Sequence, residues 1–156
     1  MKIRKIIGLL IAAGCVLGAQ VAIAENHIVE MLDQADGETM VFKPTYLKVA
    51  PGDTVTFKPT HKTHYVKAMT APVGVTKFSS KEDEEFTVTL DQPGMYFYVC
   101  PPHLMMGMIG AIQVGTGQAV KDQVPGAVKA VQNLRGRMMS NGSRADNLVQ
   151  TMEKVQ

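Results

Sequence analysis

The chain has 156 residues, of which 46% are apolar and 19% charged, and it carries 16 Lys and Arg against 14 Asp and Glu. This length suits one domain with a short extension, and the apolar content is enough for a packed core, which excludes a disordered chain. A charge so nearly balanced predicts no nucleic-acid partner.

The N-terminus has the three parts of a secretory signal. Three of the first five residues are basic, residues 6–21 are mostly apolar, and Ala22-Ile23-Ala24 forms an A-x-A cleavage site. We predict a cleaved signal peptide over 1–24, a periplasmic location and one mature domain over 25–156 that does not contact the membrane. The alternatives are a retained anchor and a lipoprotein acylated at Cys15. The cleavage site disfavours the first, and the small residues before the Cys disfavour the second.

Cleavage would leave a single cysteine, Cys100. It would also leave 13 Lys and Arg against 14 Asp and Glu, a net charge of −1. A lone Cys in an exported protein cannot form an internal disulfide, so it is a free thiol, an intermolecular bridge or a metal ligand. Because an oxidising compartment damages an exposed free thiolate, these facts favour the ligand.

Short apolar runs between turn residues predict a β-sandwich or barrel from 25 to about 114. Pro51-Gly52-Asp53 and Gln92-Pro93-Gly94 are turn signals, and His64 begins an alternating run with Val66. The other predicted strands are 27–32, 40–42, 46–49, 54–58, 86–90, 95–99 and 108–114.

The C-terminal residues change to a helical period. The apolar positions of the two runs are Val124, Val128, Val131, Leu134 and Met138, then Ala145, Leu148, Val149, Met152 and Val155. They predict two amphipathic α-helices over about 122–156, packed on an otherwise all-β domain.

The residues that carry chemistry lie between the last two predicted strands. Cys100, His103 and Met108 offer a thiolate, an imidazole and a thioether. With a second His, this is the ligand set of a blue-copper site. Zinc prefers more Cys or His and no thioether, and the C-x-x-C-H motif of a c-type haem is absent. A Cys–His nucleophile pair would also need an orienting residue and an oxyanion site, of which the sequence gives no sign.

Two positions of this ligand set stay open on the pattern alone. The second His is His64, His61 or His27, and we favour His64 because it opens a strand-like run, which holds a ligand more rigidly than a free loop. The axial Met is Met108, Met106 or Met105, and we favour Met108, with Met106 as the main alternative, because Met108 follows a glycine that lets the backbone turn inward.

The sequence resembles the cupredoxin family and, within it, the pseudoazurins. The two predicted C-terminal helices look like those of pseudoazurins rather than plastocyanins. The similar segments are Met40-Val41-Phe42-Lys43-Pro44, Pro51-Gly52-Asp53-Thr54-Val55-Thr56-Phe57, Gln92-Pro93-Gly94-Met95-Tyr96, Cys100-Pro101-Pro102-His103 and Met106-Gly107-Met108-Ile109. The resemblance implies an eight-stranded Greek-key sandwich.

The resemblance also implies a copper site and a role. One copper ion, cycling between Cu(I) and Cu(II), would be bound by His64, Cys100, His103 and Met108. The protein would be a monomeric electron carrier and not an enzyme. It would dock transiently with periplasmic redox proteins, with a nitrite reductase or c-type cytochromes as candidates. One departure is Thr63-His64-Tyr65, where the family usually has Gly-His-Asn and uses that Asn to tie the ligand loops together.

The alternative function is a periplasmic copper carrier or chaperone. Such a protein should use an open thioether and imidazole site without a buried thiolate, so Cys100 disfavours it.

The surface around the site can also be predicted. The apolar residues after Cys100 predict an exposed patch around His103. Lysines in the segments that flank His64 predict a basic rim, because the acidic run 82–85 lies elsewhere in the sequence.

Overall fold

The computed structural model describes residues 23–155, so almost all of the predicted signal peptide lies outside the described residues. The strands are β1 (Asn26–Ala35), β2 (Glu38–Lys43), β3 (Tyr46–Val49), β4 (Asp53–Pro59), β5 (Lys67–Ala68), β6 (Phe86–Leu90), β7 (Gly94–Val99) and β8 (Ile109–Val114). The helices are a 3₁₀-helix (Pro101–Met106), α1 (Gln118–Lys121), α2 (Val124–Arg135) and α3 (Gly142–Glu153). Within the described range, no helix has the length and apolar character that a membrane span requires.

The eight strands form two four-stranded sheets, with the orders β2-β1-β4-β6 and β3-β8-β7-β5. The pairs β1–β4 and β3–β8 are parallel and the other pairs antiparallel. Because every connection from β2 to β7 passes from one sheet to the other, the two layers interlock in a Greek-key arrangement. The predicted fold class, a Greek-key β-sandwich of eight strands with two C-terminal helices, is confirmed.

Each strand buries its side chains according to what covers its faces. Val55 and Phe57 of β4 are fully buried, whereas the alternating Thr54 and Thr56 face outward, as expected for a sheet with one solvent-exposed face. The strand β7 is buried along its whole length. One of its faces packs into the core between the sheets, and the other packs against α2 and α3. A strand covered on both faces cannot alternate, so its continuous apolar run follows from its position.

Two details differ from the sequence prediction. The predicted strand that began at His64 is wrong, because residues 61–66 form a loop and only the two-residue β5 follows. The C-terminal segment contains the two predicted helices and, before them, the single turn of α1.

Candidate metal centre

Three of the predicted ligands meet at one end of the sandwich. Cys100 directly follows β7, His103 lies in the 3₁₀-helix, and His64 lies in the loop between β4 and β5. Nδ1 of His64 is 3.7 Å from Cys100 Sγ, Nδ1 of His103 is 3.5 Å from that sulfur, and the two nitrogens are 3.1 Å apart. These ligand atoms all lie within 4.8 Å of one another, so their lone pairs can converge on one ion.

Met108 lies directly before β8 and is fully buried. Its N–H donates to the His103 carbonyl (3.1 Å), and its carbonyl accepts from the Cys100 N–H (3.0 Å), so the backbone holds it beside two of the three residues. The turn before it needs glycine, because Gly107 has a φ of +72°. Met106, the other candidate axial residue, is 45% exposed.

Hydrogen bonds hold His64 in place although it lies in a loop. Its carbonyl accepts from the Asp83 N–H (2.9 Å), and its own N–H donates to Asp83 Oδ1 (3.3 Å). Two residues on, Val66 and Ser80 are joined by two hydrogen bonds in the same way. The loop therefore has the rigidity that the sequence prediction attributed to a strand.

The other two histidines have different partners. His61 Nδ1 accepts the Asp33 N–H (2.8 Å), and His27 Nε2 lies 2.9 Å from Asp53 Oδ2. Neither belongs to the cluster that contains Cys100.

The environment of Cys100 has opposing electrostatic effects. Burial raises the pKa of its thiol, whereas hydrogen bonds from the backbone N–H groups of Tyr65 and His103 lower that pKa, and Glu82 raises it. Burial also lowers the pKa of His103, and the neighbouring His64 lowers it further. The lowered pKa favours the neutral form of His103, which is the form that could bind a metal, and a thiolate buried at Cys100 would need a cation beside it.

The ligand loop, residues 100–108, is also held from behind by the C-terminal segment. Donors from the start of α3 and the turn before it reach three consecutive carbonyls of the loop. The contacts are Met139 and Ser140 N–H to Met105 O (2.8 and 3.3 Å), Asn141 Nδ2 to Met106 O (2.9 Å) and Arg144 Nη1 to Gly107 O (2.7 Å).

Arg144 is the central residue of this contact, and the sequence analysis missed it. It is buried, and it also donates to the Met40 carbonyl (2.7 Å) and to Glu38 Oε2 (2.8 Å). A signal for it exists in the sequence, because Arg144 lies at helical spacing from the buried Leu148 and Met152, on the apolar face of α3. An arginine on such a face usually has buried partners.

The donor set fits copper. The sulfur of Cys100 is a soft donor, and it lies close to one imidazole nitrogen each of His64 and His103. Met108, whose side chain carries a thioether, is buried and follows in the same loop. Such a set suits both oxidation states of copper, whereas structural zinc sites use no thioether and magnesium or calcium require oxygen ligands.

Comparison with known proteins agrees with this chemistry. The family model described as copper binding proteins, plastocyanin/azurin family, matches residues 29–115. The chain belongs to this family. It is 44% identical over 115 residues to a putative pseudoazurin of Rhizobium leguminosarum bv. viciae, covering 72% of this chain and 76% of the relative. It is 40% identical over 106 residues to the pseudoazurin of Paracoccus pantotrophus, covering 67% and 73%.

A solved structure is also similar to this chain. The pseudoazurin from Methylobacterium extorquens AM1 superposes with a TM-score of 0.68 at 30% identity, covering 81% of this chain and 98% of the other. Family membership confirms the prediction of copper as the cofactor. It also confirms that this copper protein is an electron carrier and not an enzyme.

Proposed function

We propose that this copper protein is a periplasmic blue-copper carrier of single electrons whose metal ligands are His64, Cys100, His103 and Met108. The observation that carries the proposal is the convergence of two Nδ1 atoms and one thiol sulfur within 4.8 Å. Copper held by these residues would accept one electron as Cu(II) and release it as Cu(I). The buried thiolate disfavours the alternative copper chaperone, whose site would be open.

The rigidity of the surroundings suits electron transfer. Cys100 is fixed by β7, His103 by the 3₁₀-helix, and His64 by its hydrogen bonds to Asp83. Ligands that cannot move hold one geometry for both oxidation states, so little reorganisation accompanies each transfer.

An apolar surface beside His103 provides a docking site. Pro102, Met105 and Met106 are exposed next to the partly exposed His103, whereas Leu104 turns inward. An electron can pass between the partner and the metal along the imidazole of His103, and a small apolar contact permits rapid release. We propose that the partners are periplasmic redox proteins, with nitrite reductase and c-type cytochromes as the candidates.

The predicted basic rim stays a prediction, but acidic groups also lie close to the site. Asp83 contacts the backbone of His64, and Glu82 acts on both Cys100 and His103. The run 82–85, remote in sequence, is therefore next to the first ligand. The apolar patch, rather than the charge, therefore supports the docking proposal.

The location is proposed from the N-terminus. The structure places the backbone N of Glu25 2.9 Å from Oδ1 of the buried Asp53. Cleavage after Ala24 would turn that amide into an ammonium group beside a carboxylate, which would stabilise the mature protein. Sequencing the N-terminus of the protein from a periplasmic fraction should give Glu25 first, and any other start would reject the domain boundary.

Colour tests the ligand set. The purified mature protein should bind one copper and show an intense thiolate-to-Cu(II) band, which Cys100→Ala should abolish and His61→Ala should retain. A chaperone site would be nearly colourless. A band that survives Cys100→Ala, or a colourless copper-loaded protein, would reject the proposal.

The docking surface has its own test. Met105→Lys should slow second-order electron transfer to nitrite reductase about tenfold, because docking must then desolvate an ammonium group. Val73→Lys is the matched control, since Val73 is fully exposed and its neighbour Pro72 lies beside Gly94, at the far end of β7. Stopped-flow rates should fall only for Met105→Lys, and equal rates for the two variants would exclude docking at the Met105 patch.

A further inference from the structure

The ring of His64 has a second nitrogen that the metal would not use. Its Nδ1 faces Cys100 and His103, whereas its Nε2 lies 3.0 Å from Asp33 Oδ1. For Nδ1 to offer a lone pair to a metal, the ring proton must be on Nε2, from where it is donated to Asp33. His64 is fully buried, and among residues 23–155 this carboxylate is the hydrogen-bond partner of Nε2.

Asp33 is itself held in place, and His61 holds it. Asp33 lies near the end of β1, and its N–H donates to His61 Nδ1 (2.8 Å). The backbone N–H of His61 donates to the Met31 carbonyl (3.3 Å), and this hydrogen bond fixes the loop against β1. The side chain of Asp33 is half exposed, so one face of the carboxylate meets the buried ring and the other meets solvent. His61 thus orients the residue that orients His64.

We propose that Asp33 is a positioning residue for the copper ligand His64 and that its negative charge favours Cu(II) over Cu(I). This inference rests on the proposed function and deepens it. The hydrogen bond fixes the ring with Nδ1 towards the metal and makes the imidazole a stronger donor. The carboxylate also adds a negative charge close to the ion, which stabilises the more positive oxidation state. Because Asp33 is half exposed, solvent screens part of this effect.

The test separates the charge from the hydrogen bond. Asp33→Asn removes the charge but keeps an oxygen that can accept from Nε2, whereas Asp33→Ala removes both. Asp36→Asn is the matched control, because it removes the same charge from the turn after β1, where Asp36 pairs with Lys43 at 2.8 Å. The measurements are the reduction potential of the copper protein, its copper affinity, and the NMR signal of the His64 Nε2 proton in the Cu(I) form.

Asp33→Asn should shift the equilibrium towards Cu(I) about tenfold, equivalent to about 59 mV for a one-electron couple. Asp36→Asn should shift it less than about twofold, since its charge is paired and exposed. Asp33→Ala should raise the potential as well and weaken copper binding by about 10–100-fold. The Nε2 proton should exchange slowly with water in the wild type and rapidly in Asp33→Ala.

Equal shifts for Asp33→Asn and Asp36→Asn would overturn the charge effect. Unchanged copper affinity and slow Nε2 exchange in Asp33→Ala would overturn the positioning role. If the protein keeps its blue band, either result rejects the proposed role of Asp33 and leaves the proposed function standing. A wild-type protein without that band would reject the proposed function instead, so the two failures are distinguishable.

Discussion

Replacing Tyr98 by Phe should stabilise the protein. Tyr98 is fully buried in β7, and its hydroxyl has no hydrogen-bond partner among residues 23–155. Its ring packs edge-on against Phe42 and Phe57, with centroids 4.9 and 5.1 Å away, and phenylalanine would keep these contacts. The hydroxyl oxygen lies against Gly110, where a Cβ would come within 2.7 Å of it.

The size of the effect follows from the two changes that the substitution makes. A buried hydroxyl without a partner costs about 1–3 kcal/mol, and the variant recovers that cost. The gap left by one oxygen, on the order of 10 Å³, costs about 0.2 kcal/mol at about 24 cal/mol per Å³. The free energy of unfolding should therefore rise by about 1–3 kcal/mol, which raises the melting temperature of a domain this size by about 4–11 °C.

The other tyrosine of β7 is the matched control. Tyr96 is equally buried, but its hydroxyl donates to the Gln92 carbonyl at 3.3 Å. Tyr96→Phe should therefore lower the free energy of unfolding by about 0.5–1.5 kcal/mol. Urea unfolding of the copper-loaded, reduced proteins would measure both. Destabilisation by Tyr98→Phe would refute the reasoning, because it would mean that the Tyr98 hydroxyl is hydrogen-bonded in solution.

Three further predictions concern the metal and the framework. Met108→Gln should keep copper but lower the reduction potential, because an amide oxygen favours Cu(II), and voltammetry should find a smaller change for Met106→Gln. Hydrogen bonds from the Glu25 backbone N–H, the His27 ring and the Ala50 backbone N–H lower the pKa of Asp53. Its ionised form therefore stabilises the fold above about pH 4, and that contribution is lost on acidification, so unfolding of Asp53→Asn should depend less on pH below 5. Arg144→Met should cost about 1–3 kcal/mol because buried carbonyls lose their donor, whereas Arg135→Met, which breaks an exposed pair, should cost less than about 1 kcal/mol in the same denaturation assay.

Local patterns predicted most of the fold. The alternation in β4 and the turn signals between strands are properties of neighbouring residues, so they can be read from the chain. The short β5 could not be predicted, because two residues carry no periodicity and this strand exists through its pairing with β7. The two longer helices could be predicted in the same way, because their apolar residues recur at helical spacing over several turns.

At the candidate site too, residues that are neighbours in the sequence could be predicted and long-range partners could not. Cys100, His103 and Met108 share one loop, so their spacing reveals a ligand set. Asp33 lies 31 positions before His64, and nothing near it in the sequence marks it as a partner of that ring. The acidic run 82–85 was expected away from the site for the same reason, because distance along the chain was used as a measure of distance in space, and the fold brings this run back beside His64.

The three carbonyls held by the C-terminal segment constrain how the copper loop can evolve or be engineered. Inserting or deleting one residue between Pro101 and Gly107 would shift the carbonyls of Met105, Met106 and Gly107 relative to their donors. A loop of another length taken from a related protein would therefore need a redesigned tail as well as compatible ligands. Changes in the loop and at the start of α3 should therefore occur together, although more than thirty residues of chain separate Met106 from Asn141.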